Sequence, residues 1–201
     1  MPHHPFELSP ADASRRRQLR RALRQQRRDL SPALRQRASR RLAKRANHQL
    51  PCRRLQHIAI YSPMDGEIDP RSLTALPRFR HTRFYYPKLP LLAGETLRFM
   101  PMSGMRSRNR FGIEEPRRYG HGRPIWALDA VLLPAVGFDR AGHRLGMGGG
   151  FYDRTLATLQ RRPRKPVLCV VGYAFQCLEI GALTLAPWDQ PADLVITGEV
   201  W

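Results

Sequence analysis

No two cysteines in this chain stand at the C-x-x-C spacing that would suggest a zinc site or a redox pair. The three present, Cys52, Cys169 and Cys177, are odd in number and far apart. A disulfide framework is therefore disfavoured, a reducing cytoplasmic setting is expected, and Cys169, within an apolar run, reads as a buried free thiol. Long hydrophobic runs are also missing: none approaches the roughly 20 residues that cross a bilayer. Residues 1–8 are rich in His and Pro and lead into a basic polar stretch, so the apolar core of a secretory signal is not found there. The seven histidines show no metal-ligand spacing. Two nucleotide fingerprints are lacking. There is no G-x-x-x-x-G-K-[ST], and the one glycine-dense run has neither the G-x-G-x-x-G spacing nor an acidic residue about 20 positions on, so P-loop and Rossmann sites are disfavoured. Ser62 has no nucleophile-elbow context.

Acidic residues are scarce too, 16 against 35 Lys and Arg, which leaves a net charge of +19. The imbalance is concentrated: residues 1–54 hold 16 basic and 3 acidic side chains, a balance of +13. A basic arm on a mixed body suggests a polyanion partner, such as nucleic acid or a polyphosphate, or else a solvated helix face in an arginine-biased chain. The helices that carry the charge lack interleaved aromatics, which argues against stacking on single strands, and nucleic acid is the lesser alternative.

What is present reads as α/β. A length of 201 residues with 42% hydrophobic content suits a single domain over residues 11–201, with a loose segment at 1–10 and a basic helical part at 11–50. Residues 11–29 read as a helix with Leu19 and Leu23 on one face. Ser31-Pro32 is a cap and a helix-starting proline, followed by a second helix with Leu34, Ala38, Leu42 and Ala46 as its seam. Residues 56–62 form a strand that ends in a turn at Pro63-Met64-Asp65-Gly66-Glu67, and a short helix reaches Leu76. Further strands are expected at 83–87, 96–100, 129–136, 166–174 and 193–197, a helix at 151–160, and loops at 103–123, 137–150 and 184–191. The near-continuous apolar runs at 129–136 and 166–174 suit central strands covered on both faces. Strands alternating with helices favour a three-layer α/β/α sandwich with a mainly parallel sheet.

The most informative stretch is Arg144-Leu145-Gly146-Met147-Gly148-Gly149-Gly150-Phe151-Tyr152-Asp153. A glycine-dense turn between a strand and a helix lets backbone N–H groups approach an anion, and Arg144 adds a positive charge. The competing reading is a tight connection in which glycine supplies only positive φ. Asp153 would repel a bare phosphate unless a cation bridged the two, as Mg²⁺ does with carboxylate and phosphate oxygens. The alternative for Asp153 is a first-turn acid favoured by the helix dipole. Glu67 and Asp189 are open to the same kind of double reading, as site residues or as a turn residue and a loop cap. Ligands of open α/β sheets bind beyond the carboxyl ends of the strands, where Glu67, Arg144 and the Trp188-Asp189 loop fall by chain order.

Taken together the motifs resemble the 5-formyltetrahydrofolate cyclo-ligase family. They occur in the family's order: Arg16-x-x-Leu19-Arg20, Tyr61-x-Pro63-x-Asp65-Gly66-Glu67-Ile68, Tyr86-Pro87, Gly112-Ile113-x-Glu115-Pro116, Asp129 to Pro134, the block from Phe138 to Asp153, Trp188-Asp189 and Val195-Ile196-Thr197. The resemblance implies an enzyme that uses ATP and Mg²⁺ to convert 5-formyltetrahydrofolate to 5,10-methenyltetrahydrofolate, releasing ADP and phosphate. It also implies a fold like that of ribose-5-phosphate isomerase and the CoA transferases. A monomer without membrane association is expected. By the same resemblance Arg16, Arg20 and the loop Arg144, Leu145, Gly146, Met147, Gly148, Gly149, Gly150, Phe151 and Tyr152 bind ATP. Ser62, Glu67 and Met147 to Phe151 line the folate side, Asp153 and Asp189 serve the metal, and Arg144 and Asp153 are the catalytic pair. The chain departs from the pattern at Arg16, where many members have Lys, at Gly149, where several carry Lys, and at Trp188, where a His often precedes the Asp.

Overall fold

Pro10 opens the first helix, and the residue before it explains why. The Ser9 hydroxyl accepts the Asp12 amide at 3.1 Å, Pro10 needs no amide partner in the first turn, and Asp12 faces the positive end of the dipole. The computed structural model describes residues 8–51, 55–92, 94–103, 106–117, 122–179, 181–186 and 189–198. Residues 1–7 of the expected loose segment, Cys52 and Trp188 lie outside them. Helix α1 spans Pro10–Arg28. Helix α2 spans Pro32–Gln49 and uses the expected cap, with the Leu34 amide donating to the Ser31 hydroxyl at 3.3 Å. Its buried face is Ala38, Ser39, Leu42, Ala43 and Ala46. Leu34, expected in that seam, is 37% exposed, because it lies in the first turn ahead of the packed stretch.

The strands in chain order are β1 (His57–Ala59), β2 (Arg83–Lys88), β3 (Arg98–Pro101), β4 (Arg106–Arg108), β5 (Glu114–Pro116), β6 (Ala130–Pro134), β7 (Gly137–Asp139), β8 (Arg144–Leu145), β9 (Val167–Gly172), β10 (Cys177–Leu178) and β11 (Leu194–Thr197). Helix α3 spans Phe151–Ala157, shorter than expected because residues 158–161 continue only as a turn. The short helix after the first strand is a 3₁₀ helix at Pro70–Ala75. Six strands form the central sheet in the order β11-β9-β6-β1-β2-β3, parallel except for the antiparallel edge strand β3.

Side-chain alternation along the strands builds a core on each face of this sheet. Ile58, Phe84, Tyr86, Leu132, Cys169 and Val171 pack with Ala38, Leu42 and Ala46 of α2 on one side. Ala59, Tyr85, Val131, Leu133 and Val170 pack with Leu156 and Leu159 on the other. The central strands β6 and β9 are therefore apolar at nearly every position, as a strand covered on both faces must be. Burial pushes the Cys169 thiol well up, so it is an inert core residue.

Two stretches read as loops contain strands. Residues 103–123 hold the antiparallel β4–β5 pair, with Ser107 opposite Glu115. Its short, polar sequence has no apolar alternation, and a tertiary contact anchors it: Lys88 on β2 donates to Glu115 at 2.8 Å and to the Pro116 carbonyl at 2.9 Å. Residues 137–150 hold β7 and β8, which pair with each other and with β10 in a three-stranded sheet. Gly137 packs closely there: a Cβ would sit 2.7 Å from a Leu23 methyl of α1, which would have to shift.

Candidate active site

The sheet order changes direction between β1 and β6: the chain leaves β1 toward β2 and leaves β6 toward β9. Such a switch point opens a crevice at the carboxyl ends of the two strands. A cavity of about 300 Å³ lies there. Tyr61, Ser62, Met64 and Glu67 enter it from the segment after β1, and Pro134 and Ala135 from the end of β6. Arg144 and Gly146 to Asp153 form another wall, and Phe111 and Ile113 reach it from the β4–β5 hairpin. The lining is mostly apolar, with a few convergent polar groups, as ligand cavities generally are.

The glycine loop joins β8 to α3. Gly148 and Gly150 take φ values of 103° and 66°, a region costly for other residues, so the backbone turns within a few residues. Gly150 caps α3 in the left-handed conformation, which places Asp153 in the first helical turn. Arg144 is 5% exposed and donates from Nη2 to Asp153 Oδ1 at 2.5 Å, and its guanidinium lies 5.7 Å from the Tyr152 ring centroid. The Arg144 Nε is buried without a hydrogen-bond partner. Tyr152 is half-buried, and desolvation of its phenol pushes it well up and keeps it neutral. At Gly149 a Cβ would come within 2.8 Å of the Phe151 ring, which packs edge-on against Phe111 at 6.1 Å. A longer residue at this position would require that ring to move.

The turn after β1 is of the type I′ kind. Asp65 and Gly66 both have positive φ, 50° and 75°, and the Glu67 amide donates to the Met64 carbonyl at 2.9 Å. The turn brings Glu67 back to the cavity wall, where its Oε2 accepts the Met64 amide at 3.1 Å. Burial raises the Glu67 carboxyl to about 7, against the opposing charge of Arg27 and the Met64 hydrogen bond. Asp65 behaves in the opposite way. Burial would raise it, but hydrogen bonds from Arg28, Arg24 and Arg27 hold it at about 2.

Helix α1 runs along this site. Its buried positions are Arg16, Leu23 and Arg27, so arginine occupies the face where aliphatic residues would be expected. Arg16 donates to Asp189 Oδ2 at 2.7 Å and to the Thr184 carbonyl at 2.7 Å. Asp189 Oδ2 also accepts the Ala186 amide at 2.8 Å. Arg20 donates from Nε to the Gly146 carbonyl at 2.8 Å, tying the helix to the glycine loop.

Of the residues expected in the site, Ser62, Glu67, Arg144, Gly146, Met147, Gly148, Gly149, Gly150, Phe151, Tyr152 and Asp153 share the cavity wall. Leu145 does not: it is 1% exposed and packed in β8. Arg16, Arg20 and Asp189 lie outside the wall and connect to it or to one another through the bonds above. The arginines that grip the Asp65 turn were not expected from the sequence. Their only signal there is a run of basic residues that also fits a solvated face. Nothing marks Phe111 either, since its position depends on the hairpin.

The residues present admit Mg²⁺ unequally. Asp153 lines the cavity with its side chain 22% exposed and one oxygen held by Arg144. One carboxylate beside substrate phosphates is enough for this ion. Asp189 is 6% exposed with both oxygens facing Arg16, at 2.7 and 3.4 Å, so it would reach a metal only by exchanging that partner. No group of three or more His, Cys, Asp or Glu residues suited to a metal occurs among the described residues. Nor is any helix there long and apolar enough to cross a membrane.

Known proteins resemble this chain over most of its length. A 5-formyltetrahydrofolate cyclo-ligase of Escherichia coli (strain K12) is 36% identical over 184 residues, covering 89% of this chain and 98% of its own length. One from Haemophilus influenzae is 33% identical over 191 residues, covering 93% and 100%. The solved structure of Aquifex aeolicus 5,10-methenyltetrahydrofolate synthetase superposes with a TM-score of 0.75 at 28% identity, over 92% of this chain and 90% of that one. The model of the 5-formyltetrahydrofolate cyclo-ligase family matches residues 12–198, and the chain belongs to that family.

Proposed function

We propose that this protein converts 5-formyltetrahydrofolate to 5,10-methenyltetrahydrofolate at the expense of ATP, acting as a cytoplasmic monomer on the α/β/α scaffold shared with ribose-5-phosphate isomerase and the CoA transferases. One observation carries the reading: a single cavity has the Arg144–Asp153 pair and the glycine loop on one wall and the Glu67 carboxylate on another. One end suits phosphate and the other suits the N–H edge of a pterin.

The formyl oxygen is amide-like and a poor leaving group. In this account it attacks the γ-phosphorus of ATP and ADP departs. N10 of the folate then attacks the activated formyl carbon, phosphate leaves with the former formyl oxygen, and N10 gives up its proton. The protein's part is positioning and charge neutralisation. Arg144, buried and already fixed by Asp153 and Tyr152, is assigned to the transferring phosphoryl group. The bond from Arg20 to the Gly146 carbonyl supports assigning Arg20, with Arg16 behind it, to the nucleotide. Glu67 is assigned to the pterin, where it accepts hydrogen bonds as a carboxylate. When bound, Mg²⁺ would neutralise phosphate charge, and Asp153 is the residue assigned to hold it. The mostly apolar wall, including Phe111 and Phe151, excludes water from the activated formyl group.

The test is spectrophotometric. Purified protein with 5-formyltetrahydrofolate should generate the methenyl chromophore only when both ATP and Mg²⁺ are present, with one ADP formed per product. Folded protein that forms no product from fresh substrate, or forms it without ATP, would overturn the reading.

A further inference from the structure

Arg27 is the most deeply buried arginine of α1, 0% exposed, and neither the reaction scheme nor the family motifs give it a role. Its guanidinium faces the turn that carries Glu67. Nε donates to the Asp65 carbonyl at 2.8 Å and Nη2 to Asp65 Oδ2 at 3.0 Å. The third nitrogen, Nη1, is buried with no hydrogen-bond partner and lies 3.6 Å from Glu67 Oε1. The backbone is fitted as closely as the side chain. A Cβ on Gly66 would stand 3.0 Å from the Arg27 carbonyl oxygen, so only glycine lets the turn rest on this point of the helix.

A cation removed from water this completely is costly unless its charge is matched. Asp65 supplies the match and fixes the fork of the guanidinium. It is itself held by Arg24 at 2.6 Å and Arg28 at 2.5 Å, so one carboxylate anchors three arginines of one helix. Anchoring the helix does not require Nη1 to be left over, beside an acid that lines the cavity. What that arrangement does is set the charge and direction of Glu67, whose side chain is 6% exposed. Without a neighbouring cation a carboxyl so buried takes up a proton and stops being a pure acceptor.

We propose that Arg27 is a positioning residue for the folate end of the cavity: it does not line the cavity, but its Nη1 aims the Glu67 carboxyl and favours its charged form against the burial that opposes it, while Asp65 holds the guanidinium still. The inference rests on the reading of Glu67 as the folate anchor given above. It makes α1 common to both substrates, with Arg20 on the glycine loop and Arg27 toward the turn.

The groups facing Glu67 are Arg27 and Arg24 from α1, Asp65 on its own turn, Tyr61 ahead of the turn and Tyr152 from α3. Of these, Arg27 is the nearest cation, so its loss should move the pH at which folate binding fails. The experiment is equilibrium binding of 5-formyltetrahydrofolate across pH to the wild type, Arg27→Gln, Arg27→Lys and Glu67→Gln, with KM for both substrates and a thermal melt for each. Arg27→Gln should weaken folate binding about tenfold at neutral pH and move its acidic limb upward, with KM for ATP nearly unchanged. Arg27→Lys should return the limb toward the wild-type position and recover only part of the affinity, because a point charge cannot bridge Asp65 and Glu67 as a fork does. Folded Arg27→Gln with an unmoved limb, or with both KM values raised together, would overturn the proposal and leave Arg27 a structural residue. Should Arg27→Gln fail to fold, Asp65→Asn decides, since Asn tolerates positive φ and frees the guanidinium to compete for Glu67. Weaker folate binding there supports the proposal, and unchanged binding overturns it. If Glu67→Gln leaves folate affinity and its pH dependence intact, the folate reading of Glu67 fails, whatever the Arg27 variants do.

Discussion

The two walls of the cavity solve one problem in different ways. Each must hold a carboxylate beside an arginine in a mostly apolar crevice. On the glycine-loop wall the partners are nine residues apart, Arg144 at the start of β8 and Asp153 in the first turn of α3. On another wall stands Glu67, with Asp65 behind it in the same turn, and these acids meet Arg24, Arg27 and Arg28, which belong to a helix some 40 residues earlier in the chain. The local pair is assembled by a single connection and brings its own geometry. The distant cluster depends on α1 docking, and it ties the shape of the cavity to the seating of that helix. A carboxylate near arginine is not in one protonation regime either: Asp65, with three partners, is held at about 2, while burial lifts Glu67 to about 7.

The contrast can be broken by substitution. Asp153→Asn should show the largest effect, a fall in kcat of about 100-fold in protein that still folds, since the group acts on developing phosphoryl charge. Near-normal turnover in that variant would remove Asp153 from the phosphoryl end. Arg16→Ala tests whether docking of α1 governs the fold. It leaves the buried Asp189 without its cation and should cost about 3 kcal/mol in urea unfolding. A loss below about 1 kcal/mol, the value of a surface pair, would show that α1 is only loosely seated.

Two pH experiments sharpen the difference between the acids. The folded Glu67 carboxyl titrates above its ordinary value of 4.5, at about 7, so the folded state binds the extra proton between these values. Stability from this group is present below pH 4.5 and is lost as pH rises through about 7. Glu67→Gln should flatten that decline in a melting series, and a decline of equal slope in the variant would assign it to another group. Asp65 has the opposite sign. Its folded value of about 2 lies below the ordinary 3.8, so its contribution is present above 3.8 and is lost as pH falls through about 2. Asp65→Asn should remove that segment of the acid-unfolding curve, and a segment that persists in the variant would assign it to another carboxylate.

The glycine wall was legible in the sequence because its chemistry is written contiguously. Arg144, the glycines and Asp153 fall within ten residues, and the structure brings Gly146 to Asp153 to one cavity with Arg144. The second helix start was also legible, since Ser31-Pro32 caps through a hydrogen bond three residues away, whereas the Ser9-Pro10 cap lies in the segment read as loose. The β4–β5 hairpin was not, because Ser107 and Glu115 pair only when Lys88 draws Glu115 inward. Asp189 shows the same limit: a lone loop acid gives no sign in sequence that Arg16, far away in α1, will occupy its oxygens.

By itself, then, the sequence determined what short-range physics controls. That includes the helices, the apolar central strands of a parallel sheet, the turn at Asp65-Gly66 and the glycine loop with its acid. Only the tertiary structure decided which charges meet. Arginine spacing along α1 cannot distinguish a solvated basic stripe from a buried row, because the same residues suit both until the helix packs. Packing placed Arg16 and Arg27 inside with 7% and 0% exposure, and burial made their pairing with Asp189 and Asp65 obligatory.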